Sequence, residues 1–76
     1  MKEARSVILF YSSSAALKME SLAKSENLVV KLIPIPRDLS SDCGICLLVL
    51  NDDMEEIKTI IDNHRIEYEG IHDYMV

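Results

Sequence analysis

The chain is poor in basic residues, cysteine, glycine and long apolar runs, and each shortage excludes something. Eight Lys and Arg stand against thirteen Asp and Glu, a formal net charge of −5 in 76 residues. Binding a phosphate backbone takes clustered cations, so this balance argues against nucleic acid. Arg37, His64 and Arg65 would reverse that only by converging in space. No apolar run approaches the ~20 residues of a membrane span, which argues against a membrane protein. The run after Met1-Lys2-Glu3-Ala4-Arg5 covers only residues 7–11, too short for a signal-peptide core, and no cleavage pattern follows it. The expectation is a mature start and a cytoplasmic protein. Both cysteines are then expected to be reduced thiols. With two glycines in the chain there is no glycine-rich phosphate loop. No Ser-His-acid spacing and no paired-carboxylate signature appears either, and no cofactor is expected.

What is present is apolar enough to fold. Residues of apolar type make up 49% of the chain, which is not the composition of a disordered tail. The length predicts one domain over 1–76 with a modest core, marginal unless it packs efficiently or associates with itself. Residues 7–11 (Val-Ile-Leu-Phe-Tyr) predict a first, central strand. Ser12, Ser13 and Ser14 offer helix caps. Ala15, Ala16, Met19, Leu22 and Ala23 recur at helical spacing, with Lys18, Glu20, Ser21 and Lys24 between them, and Asn27 is the stop. Residues 28–33 predict a second strand that Pro34 and Pro36 end, because proline donates nothing to a ladder. Residues 45–50 predict a third, central strand. Asp53 with Glu56 fits a capping box for a second helix, whose buried stripe is Met54, Ile57, Ile60 and Ile61 and whose end carries His64 and Arg65. Residues 66–72 alternate like an exposed edge strand, with Gly70 marking a bulge.

The order is βαββαβ. In a small α+β domain this predicts the ferredoxin-like split: a four-stranded antiparallel sheet with both helices on one face. Two helices cover one face only, yet the first and third strands read as apolar on both. The other face is therefore expected to be a self-association surface, giving a homodimer or a higher oligomer.

The unusual chemistry gathers in residues 34–44, Pro-Ile-Pro-Arg-Asp-Leu-Ser-Ser-Asp-Cys-Gly. The predicted topology brings this loop to the end of the sheet where the first helix starts and the second finishes, setting Cys43 near Tyr11 and Ser12. A thiolate is the reactive form of cysteine, and a helix N-terminus or a cation such as Arg37 favours it, whereas the adjacent Asp42 opposes it. Gly44 has no side chain, so a partner or a thiol-bound group can come close. The plainer alternative is a structural cysteine beside a turn glycine. Cys43-Gly44-Ile45-Cys46 spells C-x-x-C, but it opens a strand, and strand residues three apart face opposite ways. Cys46 is expected to be a small buried apolar residue in line with Leu48 and Leu50. A metal site is not expected, since a tetrahedral site wants four ligands and no second cysteine pair exists. Ser13 and Ser14 read first as capping residues and only secondarily, with Arg37, as an anion cradle.

Four pieces in order resemble a known family. They are Ala16-Leu17-Lys18-Met19-Glu20, Pro34-Ile35-Pro36-Arg37, Ser41-Asp42-Cys43-Gly44 and Tyr68-Glu69-Gly70-Ile71. Together they resemble the small selenium/sulfur carrier-like family, long known as a domain of unknown function. The resemblance implies a carrier rather than an enzyme, with Cys43 holding a persulfide or selenopersulfide and Arg37 matching the arginine of the Pro-Arg pair. It also implies as partner a sulfur or selenium donor or a larger carrier protein of the TusA-like type. Arg37, Ser41, Gly44, Ser13 and Ser14 complete the candidate binding set. Two departures stand out: Leu28 follows Asn27 where the family commonly has a turn glycine, and Cys46 replaces another small residue. The rival reading is a structural or regulatory interaction module that self-associates through its sheet, with Cys43 incidental.

Overall fold

A computed structural model describes residues 4–36, 39 and 44–74. Six residues of mostly aliphatic and aromatic character form β1 (Arg5–Phe10), which is hydrogen-bonded on both sides. The chain continues as α1 (Ser13–Ser25), β2 (Val30–Pro34), β3 (Ile45–Leu50), a 3-10 turn at Asn51–Asp53, α2 (Met54–His64) and β4 (Tyr68–Tyr74). The sheet order is β2-β3-β1-β4 and every pairing is antiparallel. This is the expected ferredoxin-like α+β arrangement, with the two most continuously apolar strands in the centre.

Period-2 alternation divides the sheet residues between two faces. Ile8, Phe10, Leu47 and Val49 point one way and are buried with Ala16, Met19 and Ala23 of α1 and Ile57, Ile60 and Ile61 of α2. Both helices therefore lie on one face, and their buried positions are those the 3.6-residue spacing predicts. Ser12 caps α1, its Oγ accepting the Ala15 N–H at 3.2 Å.

Both helices end in the same way, with a residue in the left-handed region. Asn27 has φ +63° and Arg65 has φ +52°. At α1, the Leu28 N–H bonds to the Ala23 carbonyl and the Asn27 N–H to the Lys24 carbonyl, each at 3.0 Å. At α2, the Ile66 N–H reaches the Ile61 carbonyl at 3.0 Å and the Arg65 N–H reaches the Asp62 carbonyl at 3.3 Å. These paired bonds satisfy carbonyls that a helix end would leave open. Asn27 takes the left-handed position itself, so no glycine is needed after it.

The same caps explain where two strands depart from their predicted bounds. Leu28 and Ile66 are spent on closing helices, so β2 and β4 each begin two residues later than expected. Pro34 then sits inside β2, opposite Ile45, as the last residue of an edge strand. The expected Asp53–Glu56 capping box does not form: Asp53 makes no side-chain cap bond. Asn51 secures this junction instead. Its N–H bonds to the Ala4 carbonyl at 3.0 Å, and its side-chain oxygen accepts the hydroxyl of buried Ser6. The bulge predicted near Gly70 is present: Leu9 pairs with Gly70 and Phe10 with Tyr68, leaving Glu69 as the extra residue.

The expectation of a bare apolar face needs correction. Val7, Leu9 and Cys46 point away from the helices, yet all three are buried. Ile33, Leu48 and Tyr74 of the sheet itself, and Ile35 and Leu39 beyond β2, pack against them. Ile35 and Leu39 belong to the β2–β3 connection, in which the Leu39 N–H bonds to the Pro36 carbonyl at 3.0 Å. The far face thus has a small core of its own, against which Ile35 and Leu39 pack from outside the sheet.

Candidate functional site

Antiparallel pairing decides what meets at each end of the sheet. β1 and β2 leave, and β3 and β4 begin, at the same end. α1 starts there directly after β1, and α2 leads there through Arg65 and Ile66 to Tyr68. Tyr11, Ser12, Ser13, Ser14, Pro34, Gly44 and Tyr68 therefore share one end. The start of α1 and the two described ends of the loop, Pro34 and Gly44, thus meet at one end, as the topology predicts. Arg37, Ser41 and Cys43 lie outside the described residues.

Ser13 and Ser14 occupy the first turn of α1 and are exposed. Ser12, not either of them, makes the cap. No acidic side chain stands in that first turn.

Gly44, the next residue after Cys43, has φ +76° and open space where a Cβ would project. The glycine is required by its backbone conformation rather than by close packing. Its carbonyl accepts the Ile35 N–H at 3.3 Å, extending the β2–β3 ladder one step past Pro34–Ile45. This bond ties the two ends of the loop together at the point where the chain passes from Cys43 into β3.

Cys46 is 0% exposed. Register places it between Leu9 of β1 and Ile33 of β2, on the face away from the helices. Its thiol, which is in no disulfide, points at the Pro34 carbonyl 4.0 Å away, the reach of a weak sulfur donor. It is thus the small buried residue the alternation predicts. A thiol sealed beneath Ile35 and Leu39 is poorly placed for exchange, which requires access to the attacking sulfur.

One surface escaped sequence reasoning. Tyr11, Ile66, Glu67 and Tyr68 line an open groove of about 470 Å³ at this end of the sheet. Residues 66–72 read from alternation as an exposed edge strand, with no sign of a groove. The signal was there in part: a tyrosine closes the first apolar run and another opens the last strand, and tyrosine favours places that are apolar on one side and wet on the other.

Among the described residues no helix is long and apolar enough to cross a membrane. Neither a curated protein nor a solved structure matches the chain. A family profile described as "Putative Se/S carrier protein-like" matches residues 5–73, from the first residue of β1 to the penultimate residue of β4. The matched span takes in every strand and both helices as well as the loop that ends in Cys43-Gly44, and the chain belongs to this Se/S carrier-like family.

Proposed function

We propose that the protein is a non-enzymatic carrier that holds a sulfur or selenium atom on Cys43 and passes it on by thiol exchange. The Cys43 thiolate attacks the terminal sulfur of a donor persulfide. The new S–S bond forms as the donor's own S–S bond breaks, and the donor leaves as a thiolate. The atom moves with no external oxidant or reductant, and delivery to an acceptor thiol repeats the step with Cys43 as the leaving group. The partner is a sulfur or selenium donor, or a larger carrier of the TusA-like type. A reducing cytoplasmic setting suits a free thiol of this kind.

The observation that carries this reading is the family match across the whole fold, including the Cys43-Gly44 pair. The surroundings support it. Gly44 emerges at the end of the sheet where α1 starts, and the positive end of a helix dipole favours a nearby anion such as a thiolate or persulfide. In the proposal Arg37 adds positive charge, while Ser41, Ser13 and Ser14 supply hydroxyl donors. The self-association reading rested on a bare sheet face and is the weaker one, because Val7, Leu9 and Cys46 are covered.

The test is the pH dependence of Cys43 alkylation in a Cys46→Ala background, with Cys43→Ser as blank, followed by exposure to a persulfide donor and intact mass. The expected result is a thiol that ionises well below the ordinary ~8.5 and gains one sulfur atom that stays bound. A thiol of ordinary reactivity that never loads would refute the carrier reading.

A further inference from the structure

We propose that the groove between Tyr11 and Tyr68 docks a basic, arginine-bearing segment of the protein that exchanges sulfur with this chain. The partner's identity rests on the carrier reading; the arginine site rests on the groove.

Position is the first argument. Gly44 heads β3, Tyr11 follows β1 and Tyr68 opens β4, and these strands are consecutive neighbours in the sheet. Two strand spacings amount to about 10 Å. A segment seated in the groove is thus a few residues' reach from the chain that leads out of Cys43. Another groove, whose lining includes Arg5, Val29, Lys31 and Leu48, lies at the opposite end of the sheet, where β2 begins and β3 finishes.

Chemistry is the second. Tyr11 is 59% exposed and Tyr68 37%, and the two flank the groove they line with Glu67. Exposed tyrosines supply contact area with few rotamers to freeze, and their ring faces attract a guanidinium. The Glu67 carboxylate on the same groove matches the guanidinium fork. Charge is compatible with the same partner: Glu67 and Glu69 flank Tyr68 against Arg65 beside Ile66, and at a net −5 the chain as a whole attracts basic surfaces. Arginine answers all three features at once, by stacking on a ring, pairing with the carboxylate and complementing the net charge.

The experiment is an amide-shift titration of the full chain carrying Cys43→Ser, so that no sulfur chemistry intervenes. The probes are two blocked five-residue peptides, Gly-Arg-Ser-Arg-Gly and its counterpart with glutamate for arginine. The arginine peptide is expected to move the amides of Tyr11, Ile66, Glu67 and Tyr68 most. Tyr68→Ala, Tyr11→Ala and Glu67→Gln should each weaken binding by roughly two- to fivefold. Glu55→Gln, in the first turn of α2, changes the net charge equally and should leave binding unchanged. Tyr11 is the more exposed of the two rings, so its variant still reports if Tyr68→Ala fails to fold. Shifts spread over the acidic surface, an equal response to Glu55→Gln, equal binding of the glutamate peptide or no binding at all would each overturn the site. Peptide binding by a chain whose Cys43 never loads sulfur would overturn the partner assigned to it, whereas loading without peptide binding would sink the groove and leave the carrier reading standing.

Discussion

The two faces of the sheet are both buried, but by different kinds of chain. One is covered by α1 and α2, which contribute Ala16, Met19, Ala23, Ile57, Ile60 and Ile61 to a cluster around Ile8, Phe10, Leu47 and Val49. The other holds three buried residues, Val7, Leu9 and Cys46, beneath partly buried side chains that include Ile35 and Leu39 of the β2–β3 loop. The helical cover is regular, hydrogen-bonded within itself and broad. Among the described residues, the loop cover comes from the side chains of Ile35 and Leu39, and the Leu39 N–H bonds to the Pro36 carbonyl. Two described residues of the loop that leads to Cys43, Ile35 and Leu39, thus also pack against a core.

The largest effect should come from breaking the helical side. Phe10 is fully buried at the centre of that cluster, so Phe10→Ala should cost about 3–5 kcal/mol. That is a large share of the ~4–11 kcal/mol expected of a domain this size, and the denaturant midpoint should collapse. On the loop side, Leu39 is only half-buried, and Leu39→Ala should cost about 1–2 kcal/mol. Its sharper readout is chemical. In a Cys43→Ser background, Cys46 should be alkylated markedly faster once Leu39 is trimmed, at denaturant concentrations where Phe10-side amides stay protected from exchange. Equal acceleration of exchange and alkylation in both variants would show one cooperative core and end the distinction. The smallest effect is a gain. Arg65 holds a left-handed conformation that glycine adopts without strain, so Arg65→Gly should stabilise the protein by about 0.5–1 kcal/mol in thermal unfolding. It touches only the helical side and should leave Cys46 alkylation in the folded state unaltered.

Much of this architecture is legible in the residue pattern. The 3.6-residue recurrence at Ala16, Met19 and Ala23, and at Ile57, Ile60 and Ile61, marks the helices because one face of each must be apolar to bury. The uninterrupted apolar runs of β1 and β3 mark the two central strands, because only strands paired on both sides and covered on both faces have no polar side to show. Strand starts were less legible. Leu28 and Ile66 look like strand residues by side chain, but their N–H groups close the preceding helices. A capping box at Asp53 was readable as a motif and yet absent, because a 3-10 turn held by Asn51 and Ser6 sets the approach to α2.

The candidate site divides in the same way. That Cys43 and Gly44 deserve notice follows from residue type and from the family resemblance, and that Cys46 turns inward follows from strand alternation alone. The sequence by itself determined the order of elements, the helix-facing core and the side of the sheet that Cys46 occupies, because those depend on local periodicity. That Ile35 and Leu39 pack against the far face, and that Tyr11 and Tyr68 line a groove at the end of the sheet where Gly44 emerges, follows from tertiary packing alone. Loop residues and strand ends carry no period, and what they cover is set by register and by where distant strands finish.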